Sequence, residues 1–170
     1  MKNRDIIIRD GRRSDAEIVQ SIAYDIMRSY GIEPDPEGLD YEIGHFGESY
    51  PGVISQLVAC SRQRVIGSLI LRAQPNNHSK LTGFYVDPDF RQMGAGRMLL
   101  LEAISRARTS RLEGITLDTL DSMRSAVNLY TSLGWRRIDD PPPCSGAERR
   151  YYLDLRQDDG FQNALSGKAP

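Results

Sequence analysis

The sequence predicts an α/β (α+β) domain with a mixed, mostly antiparallel central sheet flanked by helices. Three observations carry that expectation. Short β-branched runs and amphipathic helical stretches follow one another in the order β-α-β-β-β-α-β-α-β-β across residues 6–155. Three of the β-rich runs are consecutive and separated only by polar turns, which reads as an antiparallel meander. With 170 residues, 39% hydrophobic and no internal repeat, the chain can build one sizeable core. The expected organisation is a single domain over 1–156, followed by a loose tail over the polar, patternless residues 157–170.

Each element has a local reason. Ile6-Ile7-Ile8 lies between charged residues and is short and β-branched, hence a strand. Ser14-Asp15-Ala16-Glu17 has the spacing of a capping box, in which the Ser14 hydroxyl caps and Glu17 reaches back. Ile18, Ile22, Ile26 and Tyr30 then recur every four residues as a helical face that ends at Gly31. Pro34, Pro36, Pro51 and several glycines make 31–52 a loop, with room for a short helix near 39–46. The strands of the meander fall at 53–60, 64–73 and 81–86, with turns at Ser61-Arg62-Gln63 and Pro75-Asn76-Asn77-His78. Asp87-Pro88-Asp89 ends the last of them. Leu100, Leu101, Ile104 and Ala107 mark the next helix, and Gly114 reads as the residue just past its end. Ile115-Thr116-Leu117 is a short strand; Met123, Ala126, Val127, Tyr130 and Leu133 form another helical face closed by Gly134. Strands at 135–138 and 149–155 flank the Pro141-Pro142-Pro143 loop.

Composition excludes several functions. Lys plus Arg total 22 and Asp plus Glu 23, a net charge of −1, so the chain lacks the basic excess of a dedicated nucleic-acid binder. Cys60, Cys144, His45 and His78 stand apart, without zinc-ligand spacing, so no metal is expected. No apolar run approaches the ~20 residues of a membrane span. Charges in Met1-Lys2-Asn3-Arg4-Asp5 and again at Arg9 and Asp10 leave no apolar signal region. A reduced, cytoplasmic protein is the expectation, with Cys60 as strand packing.

The chemistry concentrates where the strand 81–86 runs through Arg91-Gln92-Met93-Gly94-Ala95-Gly96-Arg97 into a helix. Glycines let a backbone approach a ligand closely, and free N–H groups at a helix start favour anions. Arg91 and Arg97 add positive charge, so the segment reads either as a pyrophosphate cradle or as a tight turn with two solvated arginines. A P-loop would need Lys-Ser/Thr after Gly96, and a dinucleotide fingerprint would need glycine where Leu99 stands.

Two motifs narrow this. Arg91-Gln92-Met93-Gly94-Ala95-Gly96 resembles the Q/R-x-x-G-x-G/A motif of the GCN5-related N-acetyltransferase (GNAT) superfamily. Ala126-Val127-Asn128-Leu129-Tyr130-Thr131-Ser132-Leu133-Gly134-Trp135 resembles its A-x-x-L-Y-x-x-L-G-F/W segment. The resemblance covers roughly 5–155, and Leu117-Asp118-Thr119-Leu120 with Met123 resembles a bacterial small-molecule branch. It implies the GNAT fold and transfer of an acetyl group from acetyl-CoA, as co-substrate, to a primary amine. The acceptor implied is a small molecule or amino-acid-like. Alternatives on the same fold are a peptide or protein N-acetyltransferase and a non-catalytic acyl-CoA-binding regulatory domain. Homodimers are common in the family.

Residue by residue, the resemblance places the CoA pyrophosphate on the backbone of Gln92, Met93, Gly94, Ala95, Gly96 and Arg97, with Arg91 nearby. Backbone groups of Phe84, Tyr85 and Val86 would pair with the pantetheine arm and polarise the thioester carbonyl. Tyr130 would protonate the departing thiolate; a phenol, with an ordinary pKa of about 10, is protonated at neutral pH. Asn128, about 200° around the helix from Tyr130, faces elsewhere. Two departures stand out. Met123 occupies a place where many relatives carry Asn, and Lys80 or Leu81 one where small-molecule relatives carry an acid. The remaining candidates for a base are Glu42, His45, Glu48 and Asp118. Tyr41, Tyr50, Tyr151 and Tyr152 are candidate acceptor contacts, and the acidic stretch 33–48 suggests a cationic amine.

Overall fold

The structure, a computed structural model, describes residues 6–138 and 147–156. The strands are β1 (Ile6–Asp10), β2 (Val53–Ser61), β3 (Arg64–Gln74), β4 (His78–Val86), β5 (Gly114–Thr119), β6 (Arg136–Ile138) and β7 (Arg149–Asp154). The helices are α1 (Ala16–Ser29), α2 (Tyr41–Gly44), α3 (Ala95–Thr109) and α4 (Arg124–Ser132). Hydrogen-bonded strands follow the order β1-β2-β3-β4-β5-β7-β6, the mixed and mostly antiparallel sheet that was expected. The described residues form two compact units, 6–73 with 81–106, and 74–80 with 107–138 and 147–156. Cys144, the triple proline and the tail 157–170 lie outside the described residues.

In the first unit β1 pairs antiparallel with β2 from Ile6↔Ser61 to Asp10↔Leu57, and β2 pairs antiparallel with β3. Arg62 and Gln63 between them have φ of 46° and 71°, the mirror-image turn whose twist matches a two-residue hairpin. The α1 side of this sheet buries Val19, Ala23, Ile43, Phe46, Val58, Cys60, Val65 and Ile70. Cys60 is packing, as expected, and burial pushes its thiol pKa up. Leu99 of α3 reaches another part of β3: a Cβ on Gly67 would lie 3.4 Å from its Cδ1.

Three local expectations change. The helix start is organised by Asp15, whose Oδ2 accepts the Arg12 N–H at 2.8 Å while both carboxylate oxygens take Arg9. The carboxylate can satisfy backbone and guanidinium together, which the Ser14 hydroxyl cannot. The buried face of α1 is Val19, Ile22, Ala23, Ile26 and Met27, and Tyr30 is exposed. A strict four-residue step drifts about 40° per repeat, so its outer members leave the face. Gly114 does not cap α3. That helix ends with Arg111 at φ 56°, the Leu112 N–H donating to Ala107 O and the Arg111 N–H to Arg108 O. Gly114 instead begins β5, where a Cβ would run into the Tyr152 ring.

In the second unit β7 pairs antiparallel with both β5 and β6. The start of β4 runs alongside β5 in the same direction, since Asn77 meets Glu113, Ser79 meets Gly114 and Thr116, and Lys80 meets Asp118. Ile115, Leu117, Trp135 and Tyr151 are buried here. Of the α4 face only Tyr130 is fully buried, the other members being partly covered.

Candidate active site

The strand β4 is irregular where the resemblance places the thioester. Gly83 has φ 57°, and a Cβ there would come within 2.8 Å of Ile70 Cδ1 and 2.9 Å of Ile43 Cδ1. A positive φ inside a strand marks a bulge that re-aims the following backbone. Beyond it, the Tyr85 carbonyl lies against Gly67, and the Asp87 N–H donates to Ile66 O at 2.8 Å. Tyr85 and Asp87 therefore turn their peptide groups toward β3. Alternation along a strand directs those of Phe84 and Val86 to the opposite edge. The Tyr85 side chain packs on the α1–α2 core, and burial raises its phenol pKa.

The loop after β4 is anchored before it turns. Asp87, buried, accepts the Asp89 N–H at 3.0 Å and Arg64 NH2 at 2.9 Å, and the Arg64 guanidinium lies 5.3 Å from the Phe90 ring centre. These two anchors were not legible as site residues, because Arg64 joins from another strand. Gln92 then has φ 62° and Gly94 φ 88°, while Met93 between them has no positive φ. Alternating handedness over successive residues gathers backbone N–H groups into one concavity. Helix α3 begins at Ala95; the Met98 N–H donates to Gly94 O at 3.0 Å, and the Ala95 and Gly96 N–H groups precede that first helical bond. Gln92, Met93, Gly94, Ala95, Gly96 and Arg97 thus form a turn from concavity into helix start, with Arg91 exposed beside it. The arrangement suits a phosphate-sized anion.

In the second unit, Tyr130 occupies the last turn of α4 and is 5% exposed, its ring 6.0 Å from Trp135 and 6.2 Å from Tyr151. The helix stops because Gly134 takes φ 93°, with Trp135 N–H donating to Tyr130 O and Gly134 N–H to Thr131 O, both at 3.1 Å. Leu-Gly-Trp is therefore a helix stop that seats Tyr130. Asn128 is exposed, as its angular position requires. Met123 precedes the helix and its sulfur receives the Thr119 hydroxyl at 3.8 Å.

The candidate bases are all engaged. Glu42 holds Arg72 at 2.6 Å. His45 lies 3.1 Å from Glu48 and 3.6 Å from Glu37, and the Glu48 hydrogen bond raises its pKa. Glu48 also meets Arg13. Asp118, its side chain 8% exposed, is held by Lys80 at 2.8 Å and Arg150 at 2.8 Å. Burial pushes the Asp118 pKa up, but hydrogen bonds from Arg150 and Lys80 outweigh it and the net shift is downward. Lys80, which with Leu81 is one of the two positions where the resemblance expects an acid, is thus a cation with a carboxylate partner.

This triad makes a stability prediction. A depressed folded pKa means that the stabilisation from Asp118 is complete above its unfolded pKa of about 3.9 and is lost as pH falls through the lower folded value. Asp118→Asn removes the buried carboxylate charge that Lys80 and Arg150 share and should destabilise by about 2–4 kcal/mol at pH 7. Thermal melts of wild type and variant should converge only as pH falls below the lowered folded pKa of Asp118; an unchanged gap at the acid end would mean the ion pairs are not its source.

The acetyltransferase (GNAT) family model matches residues 20–135. No curated protein matches the sequence. Among solved structures, a GNAT-family acetyltransferase from Staphylococcus aureus Mu50 is 27% identical with a TM-score of 0.78, covering 88% of this chain and 99% of that one. An acetyltransferase from Streptococcus agalactiae 2603 has 18% identity, a TM-score of 0.74 and coverage of 89% and 99%. A PaiA N-acetyltransferase from Thermoplasma acidophilum, solved with coenzyme A, has 18% identity, a TM-score of 0.68 and coverage of 88% and 98%. The family model spans most of the chain: the chain belongs to the acetyltransferase (GNAT) family.

Proposed function

We propose that the protein is an N-acetyltransferase, one domain over residues 1–156, that transfers the acetyl group of acetyl-CoA to the primary amine of a small, amino-acid-like molecule. The observation that carries this reading is the Gln92–Gly94 concavity opening onto the start of α3, immediately after a bulged strand. Its N–H groups would receive the pyrophosphate, with Arg91 and Arg97 balancing charge. Phe84 and Val86, whose peptide groups point away from β3, would hold the pantetheine arm and polarise the thioester carbonyl; Tyr85 would contribute only packing.

The neutral amine attacks the thioester carbonyl carbon, and backbone N–H donors stabilise the oxyanion. The C–S bond breaks as the amide forms, and Tyr130 gives its proton to the thiolate. The amine's proton leaves to solvent, because Glu42, His45, Glu48 and Asp118 are each held in other contacts. No residue is required to form a covalent intermediate.

Calorimetric titration of the full chain with acetyl-CoA, CoA and NADH tests this. Saturable binding of acetyl-CoA and CoA without NADH is expected. No acetyl-CoA binding at millimolar concentration would overturn the reading.

A further inference from the structure

Two buried hydrogen-bond donors beside α2 are left without partners. Arg72 NH1 is 2.6 Å from Glu42 Oε1, yet Arg72 Nε is buried and unpartnered, and so is the Tyr50 hydroxyl. The two belong to neighbouring stretches of chain. Val53 is the Cα partner of Arg72 across the β2–β3 ladder, and the Val53 N–H donates to Tyr50 O. A buried donor is normally paired, and these two at one ion pair have no acceptor among the described residues.

Their position in the first unit bears on the reaction. Arg72 is two residues beyond Ile70 and so on the same face of β3. Ile70 and Ile43, the neighbour of Glu42, are the two side chains that crowd Gly83 at the bulge of β4. Arg72 is thus one two-residue strand step along β3 from Ile70, the side chain that packs on the bulge. Phe84, the residue after it, is where the thioester carbonyl is assigned.

We propose that Arg72 Nε and the Tyr50 hydroxyl bind the carboxylate of the acceptor, which makes the substrate class an α-amino acid rather than a simple amine. The proposal rests on the N-acetyltransferase reading above. An arginine whose NH1 is taken still presents its Nε edge, and the planar fork of guanidinium matches a carboxylate. Tyr50 remains a donor at every working pH, since burial, and then the Glu42 charge, push its phenol up to about 12. Glu42 aligns the guanidinium and at the same time repels a second carboxylate, which sets an upper limit on affinity.

The acidic stretch does not argue for a cationic acceptor once its contacts are known. Glu33 meets Arg28, Glu37 lies near His45, Glu42 holds Arg72 and Glu48 faces His45 and Arg13. Asp35 and Asp40 accept the Leu39 and Asp35 N–H groups. Those carboxylates organise the loop itself.

The test compares the standard L-amino acids with their decarboxylated amines as acceptors, using the full chain and saturating acetyl-CoA. At least one amino acid should exceed its amine in kcat/KM by about 100-fold. Arg72→Gln should abolish that preference by raising KM for the amino acid about 30-fold or more, leaving the amine within about threefold. Glu42→Gln should lower KM for the amino acid, a gain that a merely structural ion pair would not produce. Should Arg72→Gln fail to fold, Arg72→Lys and Tyr50→Phe carry the same comparison. Amines acetylated as well as amino acids, or losses equal for both, would overturn the carboxylate site while leaving the acetyltransferase standing. Acetyl-CoA binding with no acetylation across either set would also overturn it, whereas absent acetyl-CoA binding would fail the underlying reading itself.

Discussion

Tyr130→Phe is expected to lower kcat by about 100- to 1,000-fold, the range of a lost general acid. Affinity for acetyl-CoA should remain within about twofold, because the hydroxyl is needed only when charge develops on sulfur. Phenylalanine keeps the ring that lies 6.0 and 6.2 Å from Trp135 and Tyr151. Steady-state rates, calorimetric titration and a thermal melt on the same preparation separate these effects. An unchanged kcat would remove Tyr130 as the acid and leave solvent to protonate the thiolate. A fall in both affinity and melting temperature would instead identify a structural tyrosine.

Gly94→Val should weaken acetyl-CoA binding by about 30-fold or more, equivalent to roughly 2 kcal/mol. The backbone at Gly94 has φ 88°, where a β-branched residue is strained, and relief would turn the peptide N–H out of the concavity. The valine side chain would also project where a phosphate must approach. Gly94→Ala should fall between the two, since it strains the backbone with less bulk. Titration with CoA alone checks whether the loss follows the nucleotide moiety rather than the acetyl group. Unaltered affinity would place the phosphate elsewhere.

Much of the fold was readable because its determinants are local. The hairpin residues Arg62 and Gln63, the break at Asp87-Pro88-Asp89 and the stops at Gly31 and Gly134 act within a few residues of themselves. The same holds for the glycine loop Arg91–Gly96 and the segment Ala126–Trp135, the two motifs that resemble the family's. Errors arose where a local signal had competitors. Asp15 displaced Ser14 at the helix start because a carboxylate can accept the Arg12 N–H and Arg9 together. Arg111 stops α3 in a left-handed conformation usually given to glycine, so the stop falls three residues before Gly114.

The sequence by itself determined the succession of strands and helices, the family, and the chemistry to expect of the segment Arg91–Arg97. Those follow from periodicity, turn residues and contiguous motifs, all carried by neighbours in the chain. Only the tertiary structure decided which charges meet and which peptide groups face which edge. Lys80 finds Asp118 and Arg150, and Arg72 finds Glu42, across strands and helices far apart in sequence. Tyr85 turns toward β3 because pairing and the bulge at Gly83 set the parity of the strand, and a one-residue slip would exchange its role with that of Phe84. Long-range register, absent from any local window, therefore engages the candidate bases and leaves Arg72 Nε and the Tyr50 hydroxyl without a partner among the described residues.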